Sequence, residues 1–112
     1  MSEFQTIVAE LIKFRDDRQW AQFHDSKNLA LAIAIEAAEL NELFLWKEGT
    51  EAEDVNKDRL KEELADILAF CFLLADKHKL DITEIVLDKI RSNEKKYPIE
   101  KARGSAKKYN EL

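Results

Sequence analysis

Four acidic residues stand where acids are costly. The run from Leu29 to Ala38 is apolar at every position except Glu36, and Glu39 follows three residues later. Downstream, Glu63 and Asp66 repeat the i, i+3 spacing, and Asp66 is the only polar residue between Leu64 and Ala75. On a helix each pair lies about 60° apart on one face, with Cβ atoms roughly 5–6 Å from each other. Ionised carboxylates are almost never buried without a cation or hydrogen bonds to offset the loss of water. If the two helices pack side by side, four carboxylates converge in an apolar setting, which suits a hard divalent cation with oxygen ligands, Mg²⁺ above all. The plain alternative is a solvated E-x-x-E stripe. Here the acids interrupt the apolar faces instead of lying opposite them, and the pattern occurs twice, which favours the metal.

The elements that must position these acids are helical. In 112 residues there are two glycines and one proline, while Ala, Leu, Glu and Lys dominate. This composition predicts an all-α chain, a single domain over residues 1–112 built as a four-helix bundle-like subunit with an extended basic tail from residue 97. Ser2-Glu3-Phe4-Gln5 reads as a capping box opening a first helix over about 3–17, with Phe4, Ile7, Val8, Leu11, Ile12 and Phe14 at helical spacing. Trp20, Phe23 and His24 follow outside any period, where aromatics can close a bundle end or form a pocket wall; for His24 a plain hydrogen-bonding role is favoured over catalysis. Asp25 or Ser26 caps a second helix, with Asn28 in its first turn, that is expected to end near Trp46 to Glu48 with Gly49 as its stop. Trp46 is either core or a flat face for a planar ligand.

Thr50-Glu51-Ala52-Glu53 reads as a second capping box, and residues 50–58 as a loop or a loose first turn. The third helix then runs to about Lys79. Its stretch Leu64–Ala75 is apolar nearly all round, and in so small a chain that predicts oligomerisation. Asp81-Ile82-Thr83-Glu84 opens a fourth helix, and Tyr97-Pro98 ends it because the residue before proline avoids the α region. The tail has a turn pair at Gly104-Ser105 and no period of its own; ordering on a neighbour or a ligand is expected.

Net charge is −5, unevenly placed: residues 89–112 hold 8 basic and 3 acidic residues, and the remainder is strongly acidic. An acidic body argues against nucleic acid as the main ligand. The basic tail either complements that body in solvent or meets a small polyphosphate, whose charge needs both a metal and Lys or Arg. The single cysteine, Cys71, lies in an apolar run and reads as a buried structural thiol in a reducing compartment. No signal peptide or membrane span is read, so a soluble cytoplasmic protein is expected.

The order of these features resembles a known family. E36-A-A-E39 followed by E63-L-A-D66 resembles the ExxE…ExxD signature of the all-α nucleoside triphosphate pyrophosphohydrolases of the MazG-like superfamily. The stretches RQWAQFH (18–24), Asn28, ELFLWK (42–47), EELADIL (62–68), NEKKYP (93–98) and KKYNEL (107–112) look like its small dCTP pyrophosphatase branch. The resemblance implies hydrolysis of a (deoxy)nucleoside triphosphate between the α and β phosphates. Glu36, Glu39, Glu63 and Asp66 would be the catalytic Mg²⁺ ligands, with Mn²⁺ as a substitute. Trp20 and Trp46 match positions that embrace the base, His24 and Asn28 complete the substrate-binding set on that side, and Lys89, Asn93 and Tyr97 match the region of the fourth helix that faces the nucleotide. Leu11 and Phe70 stand where the vertebrate branch carries a base-contacting histidine and a tyrosine. Both changes remove hydrogen-bonding groups, so a broad dNTP range is expected with dCTP a leading substrate.

The family also implies homo-oligomers, a tetramer ahead of a dimer, in which a neighbour helps close the nucleotide pocket. The competing readings are a non-catalytic nucleotide sensor and a helical interaction module with incidental acids. A di-iron bundle would supply Glu-x-x-His pairs, and neither His24 nor His78 stands three residues after a glutamate.

Overall fold

The computed structural model describes residues 1–112 and is helical throughout, in two compact units, Met1–Lys79 and Leu80–Leu112. In the first unit, α1 spans Glu3–Asp17. Its start is the expected capping box: Ser2 Oγ accepts from the Gln5 backbone N–H at 3.1 Å, and the Ser2 N–H donates to Gln5 Oε1 at 2.9 Å. The helix closes with Gln19 in the left-handed region at φ 56°, and a single 3₁₀ turn over Ala21–Phe23 follows. Asp25 caps α2 (Ser26–Glu42), its Oδ1 accepting from the Asn28 N–H at 2.7 Å.

The second helix is shorter than expected. After Glu42 the chain continues as turns to Trp46, which is left-handed at φ 65°, and Leu43 is buried there. The expected capping box at Thr50 is also corrected. Thr50 lies inside a one-turn helix, α3 (Thr50–Glu53), whose cap is Gly49 with no side-chain bond. Gly49 has φ 56°, the left-handed region that glycine occupies at no steric cost. Val55 is buried in the short connection, and Asn56 caps α4 (Lys57–Lys77) by accepting from the Arg59 N–H at 3.1 Å.

The core of this unit is Leu29, Leu43, Val55, Phe72, Leu73 and Ala75. It forms where α2 packs along α4, with α1 also against α4 and Phe4 5.4 Å from Phe72 between ring centroids. Ser26 Oγ and His78 Nε2 share a 2.8 Å hydrogen bond, joining the start of α2 to the end of α4. The two helices are therefore antiparallel, so the acids late in α2 meet those early in α4. Cys71 is a free, half-buried thiol, pushed up from its ordinary pKa by burial.

The second unit holds α5 (Ile82–Lys96), capped by Asp81 Oδ1 accepting from the Glu84 N–H at 2.9 Å. Tyr97 ends it as expected. A one-turn helix, α6 (Ile99–Ala102), and a 3₁₀ turn over Tyr109–Glu111 form the tail. Tyr109 packs edge-on against Tyr97 with centroids 6.2 Å apart, and Lys96 Nζ lies 5.0 Å over the Tyr109 ring. No helix of the chain is long and apolar enough to cross a membrane.

Candidate metal centre and adjoining cavity

Antiparallel packing of α2 on α4 brings three of the four acids together. One carboxylate oxygen each of Glu36, Glu39 and Glu63 lies within 4.8 Å of the other two. Glu36 Oε2 and Glu63 Oε2 are buried and have no hydrogen-bond partner. Buried acceptors without partners are rare because each forfeits its water for nothing. The electrostatics follow. Glu36 is pushed up to about 7 from an ordinary 4.5, first by burial, then by the adjacent Glu39 carboxyl and by the charges of Asp66 and Glu63. Glu63 is raised by burial, by the adjacent Glu39 carboxyl and by Asp66; Arg59 opposes the rise.

Such a cluster fits a divalent cation. A hard cation supplies the positive charge that three crowded carboxylates lack and the partner that the two orphaned oxygens lack, and all-oxygen sites suit hard ions. Asp66 is not part of the three-oxygen cluster. It is exposed one turn beyond Glu63 and lines a neighbouring cavity of about 420 Å³.

That cavity lies between α1, the 3₁₀ turn and α4. Leu11, Phe14, Phe70 and Leu73 make its walls apolar, and Trp20 and His24 line it as well. Trp20 is held edge-on to Phe14 at 5.7 Å, and the Arg18 guanidinium covers the Phe14 ring at 3.7 Å. His24 stands edge-on to Phe70 at 6.4 Å. Burial and the nearby Arg15 charge hold His24 below its ordinary pKa, and its buried Nδ1 has no partner.

The other sequence-predicted residues lie elsewhere. The Asn28 side-chain amide donates to the Phe23 carbonyl at 3.0 Å, so it latches the 3₁₀ turn that carries the aromatics. Trp46 stands 91% exposed beyond the end of α2 and does not line the cavity. Lys89, Asn93 and Tyr97 fall at four-residue intervals along one face of α5, in the second unit, where the Tyr97 N–H donates to the Asn93 carbonyl at 2.8 Å. One lining residue went unnoticed in the sequence: Arg15. No local signal set it apart, since an arginine near the end of a helix ordinarily keeps its head in water.

The chain is similar to several known proteins. A model of the MazG-like family matches residues 31–112. The dCTP pyrophosphatase 1 of Mus musculus is 39% identical over 105 residues, and that of Bos taurus is 40% identical, in each case across 89% of this chain. The chain spans 62% of the length of these relatives. Among solved structures, a pyrophosphatase from Archaeoglobus fulgidus superposes with a TM-score of 0.82 at 36% identity, covering 88% of this chain and 94% of that one.

Proposed function

Because the chain belongs to the MazG-like family, we propose that it hydrolyses (deoxy)nucleoside triphosphates between the α and β phosphates, releasing the monophosphate and pyrophosphate. One observation carries the reading: carboxylates from two antiparallel helices converge with two orphaned buried oxygens beside an apolar cavity sized for a small ligand. Relatives named dCTP pyrophosphatase 1 support a nucleotide substrate and make dCTP a leading one.

Mg²⁺ is the proposed cation, with Mn²⁺ as substitute; once bound, it would neutralise polyphosphate charge and make water a competent nucleophile near neutral pH. Glu36, Glu39 and Glu63 hold it, and Asp66 joins them by turning its exposed side chain from the mouth of the cavity. Trp20 stacks on the base, where each stacked base contributes roughly 1–3 kcal/mol with little preference among bases. Asn28 keeps the turn bearing Trp20 and His24 in place. Trp46, Lys89, Asn93 and Tyr97 are proposed nucleotide contacts, by the family's pattern.

We further propose a homo-oligomer, a tetramer ahead of a dimer, serving dNTP pool control in the cytoplasm. Apolar side chains left open on α2 and α4 support it: Leu31 is 53%, Ile35 58% and Leu68 54% exposed.

Product analysis tests the activity. Purified protein is incubated with each dNTP and NTP, with and without Mg²⁺, and monophosphate plus pyrophosphate are resolved from diphosphate plus phosphate. Mg²⁺-dependent monophosphate and pyrophosphate are expected. Turnover of no triphosphate would leave a nucleotide sensor, if nucleotides still bind, or an interaction module, if they do not.

A further inference from the structure

Away from Asp66, the hydrogen-bonding capacity of the cavity rests with Arg15, His24 and the Trp20 indole N–H. Arg15 is the unusual member. It sits in the last turn of α1 with its side chain only 23% exposed, although a guanidinium ordinarily keeps its head in water. Asp16 Oδ1 accepts from Arg15 Nε at 2.8 Å. That bond occupies one edge of the guanidinium, so the donors to spare are those on Nη1 and Nη2. Arginine has no acceptor and does not lose its charge. With burial, the nearby Arg15 charge holds the His24 imidazole below its ordinary pKa.

We propose that Arg15 is the specificity-determining residue of the cavity, its Nη1 and Nη2 donors reading a base that carries two neighbouring hydrogen-bond acceptors on one edge. The inference rests on the nucleotide-hydrolase reading above and names the substrates within it. Guanine carries such a pair in O6 and N7, and cytosine carries one in O2 and N3. Adenine offers no equivalent, because N7 adjoins an amino donor. Thymine fails likewise, since an N–H separates O2 from O4. A guanidinium end meets an adjacent acceptor pair with two parallel bonds. Facing a donor instead, it is left unpaired between apolar walls, and sites whose buried polar groups are left unpaired reject a substrate strongly.

A contact to phosphate is the competing role for this arginine, and it would act on all four substrates alike. The test measures kcat/KM for dATP, dCTP, dGTP and dTTP with the wild-type protein, Arg15→Leu and Arg15→Lys. Equilibrium binding of the non-hydrolysable α,β-methylene analogues of the same four is measured alongside, and far-UV spectra and melting temperatures confirm that the variants fold. The wild-type protein is expected to prefer dCTP or dGTP over dATP and dTTP by roughly tenfold, the scale of one bidentate contact. Which of the two leads identifies the edge that is read.

Both variants are expected to bring the four substrates to near parity, by lowering dCTP or dGTP and relieving the rejection of dATP and dTTP. Arg15→Lys keeps the charge and loses the fork, so it separates geometry from charge. An equal fall on all four bases, a preference retained in Arg15→Leu, or a wild-type protein without the preference would each overturn the role of Arg15 and leave hydrolysis standing. Ranked binding of the analogues that Arg15→Leu abolishes, without turnover, would uphold the role and remove hydrolysis. Failure to bind any analogue would overturn both.

Discussion

Each carboxylate of the cluster makes the next one harder to ionise, and the consequence can be followed by pH. A carboxyl whose pKa is higher in the folded chain than in the unfolded one takes up a proton on folding, so its contribution to stability is complete below the unfolded value and is lost as pH rises through the folded one. For Glu36 that window runs from 4.5 to about 7, and Glu63 adds in the same direction. Without divalent cations, the melting temperature should fall as pH rises through this window. Added Mg²⁺ should restore it at the alkaline end and do little at the acid end, where protons compete for the same oxygens. A melting temperature that is flat with pH and indifferent to Mg²⁺ would contradict the cluster. Glu39→Gln is expected to abolish turnover while the melting temperature holds or rises, because one of the repelling charges has gone. Retention of most of the activity would remove Glu39 from the cation site.

At the scale of the helices, two ends carry strain that the residue type does not suit. Gln19 and Lys79 both lie in the left-handed region just past a helix terminus, at φ 56° and 59°, where glycine is the residue without a steric penalty. Lys79→Gly should stabilise the first unit by about 1 kcal/mol, or roughly 4 °C in melting temperature for a domain of this size. A lowered melting temperature would mean that the Lys79 side chain contributes more than its backbone costs. The same ends separate what was legible from what was not. The side-chain caps at Ser2 and Asp81 could be read directly, that of α2 only as Asp25 or Ser26, and the Asn56 cap of α4 was not read. The end of α2 was not legible either. Leu43, Phe44, Leu45 and Trp46 keep an apolar, helix-compatible composition, yet the chain turns after Glu42, with Leu43 buried in the turn. The acids of the cluster were legible because charge interrupting an apolar stripe is a local anomaly. Arg15 was not, because an arginine at the end of an exposed-looking helix becomes unusual only when the 3₁₀ turn and α4 close over it.

For the molecule as a whole, the unit formed by Met1–Lys79 buries few large side chains for its size and leaves Leu31, Ile35 and Leu68 more than half exposed. In the oligomer proposed above, a second copy covers these side chains. Leu31→Glu should therefore shift the protein to monomers in sedimentation velocity and lower turnover at least tenfold, by placing a charge on a surface that must lose its water. Wild-type protein that sediments as a monomer at micromolar concentration would exclude this covering.

The hydrogen bond between Ser26 and His78 lies at the opposite end of the α2–α4 pair from the carboxylates. Ten residues of α2 separate Ser26 from Glu36, a lever of about 15 Å. A tilt of about 2° at that pivot moves the carboxylate end by roughly 0.5 Å over this length, comparable with the difference between Mg²⁺ and Ca²⁺ bond lengths. If the proposed cation binds there, the register of two helices at one end would set the fit for ionic radius at the other, from a site that touches no cation.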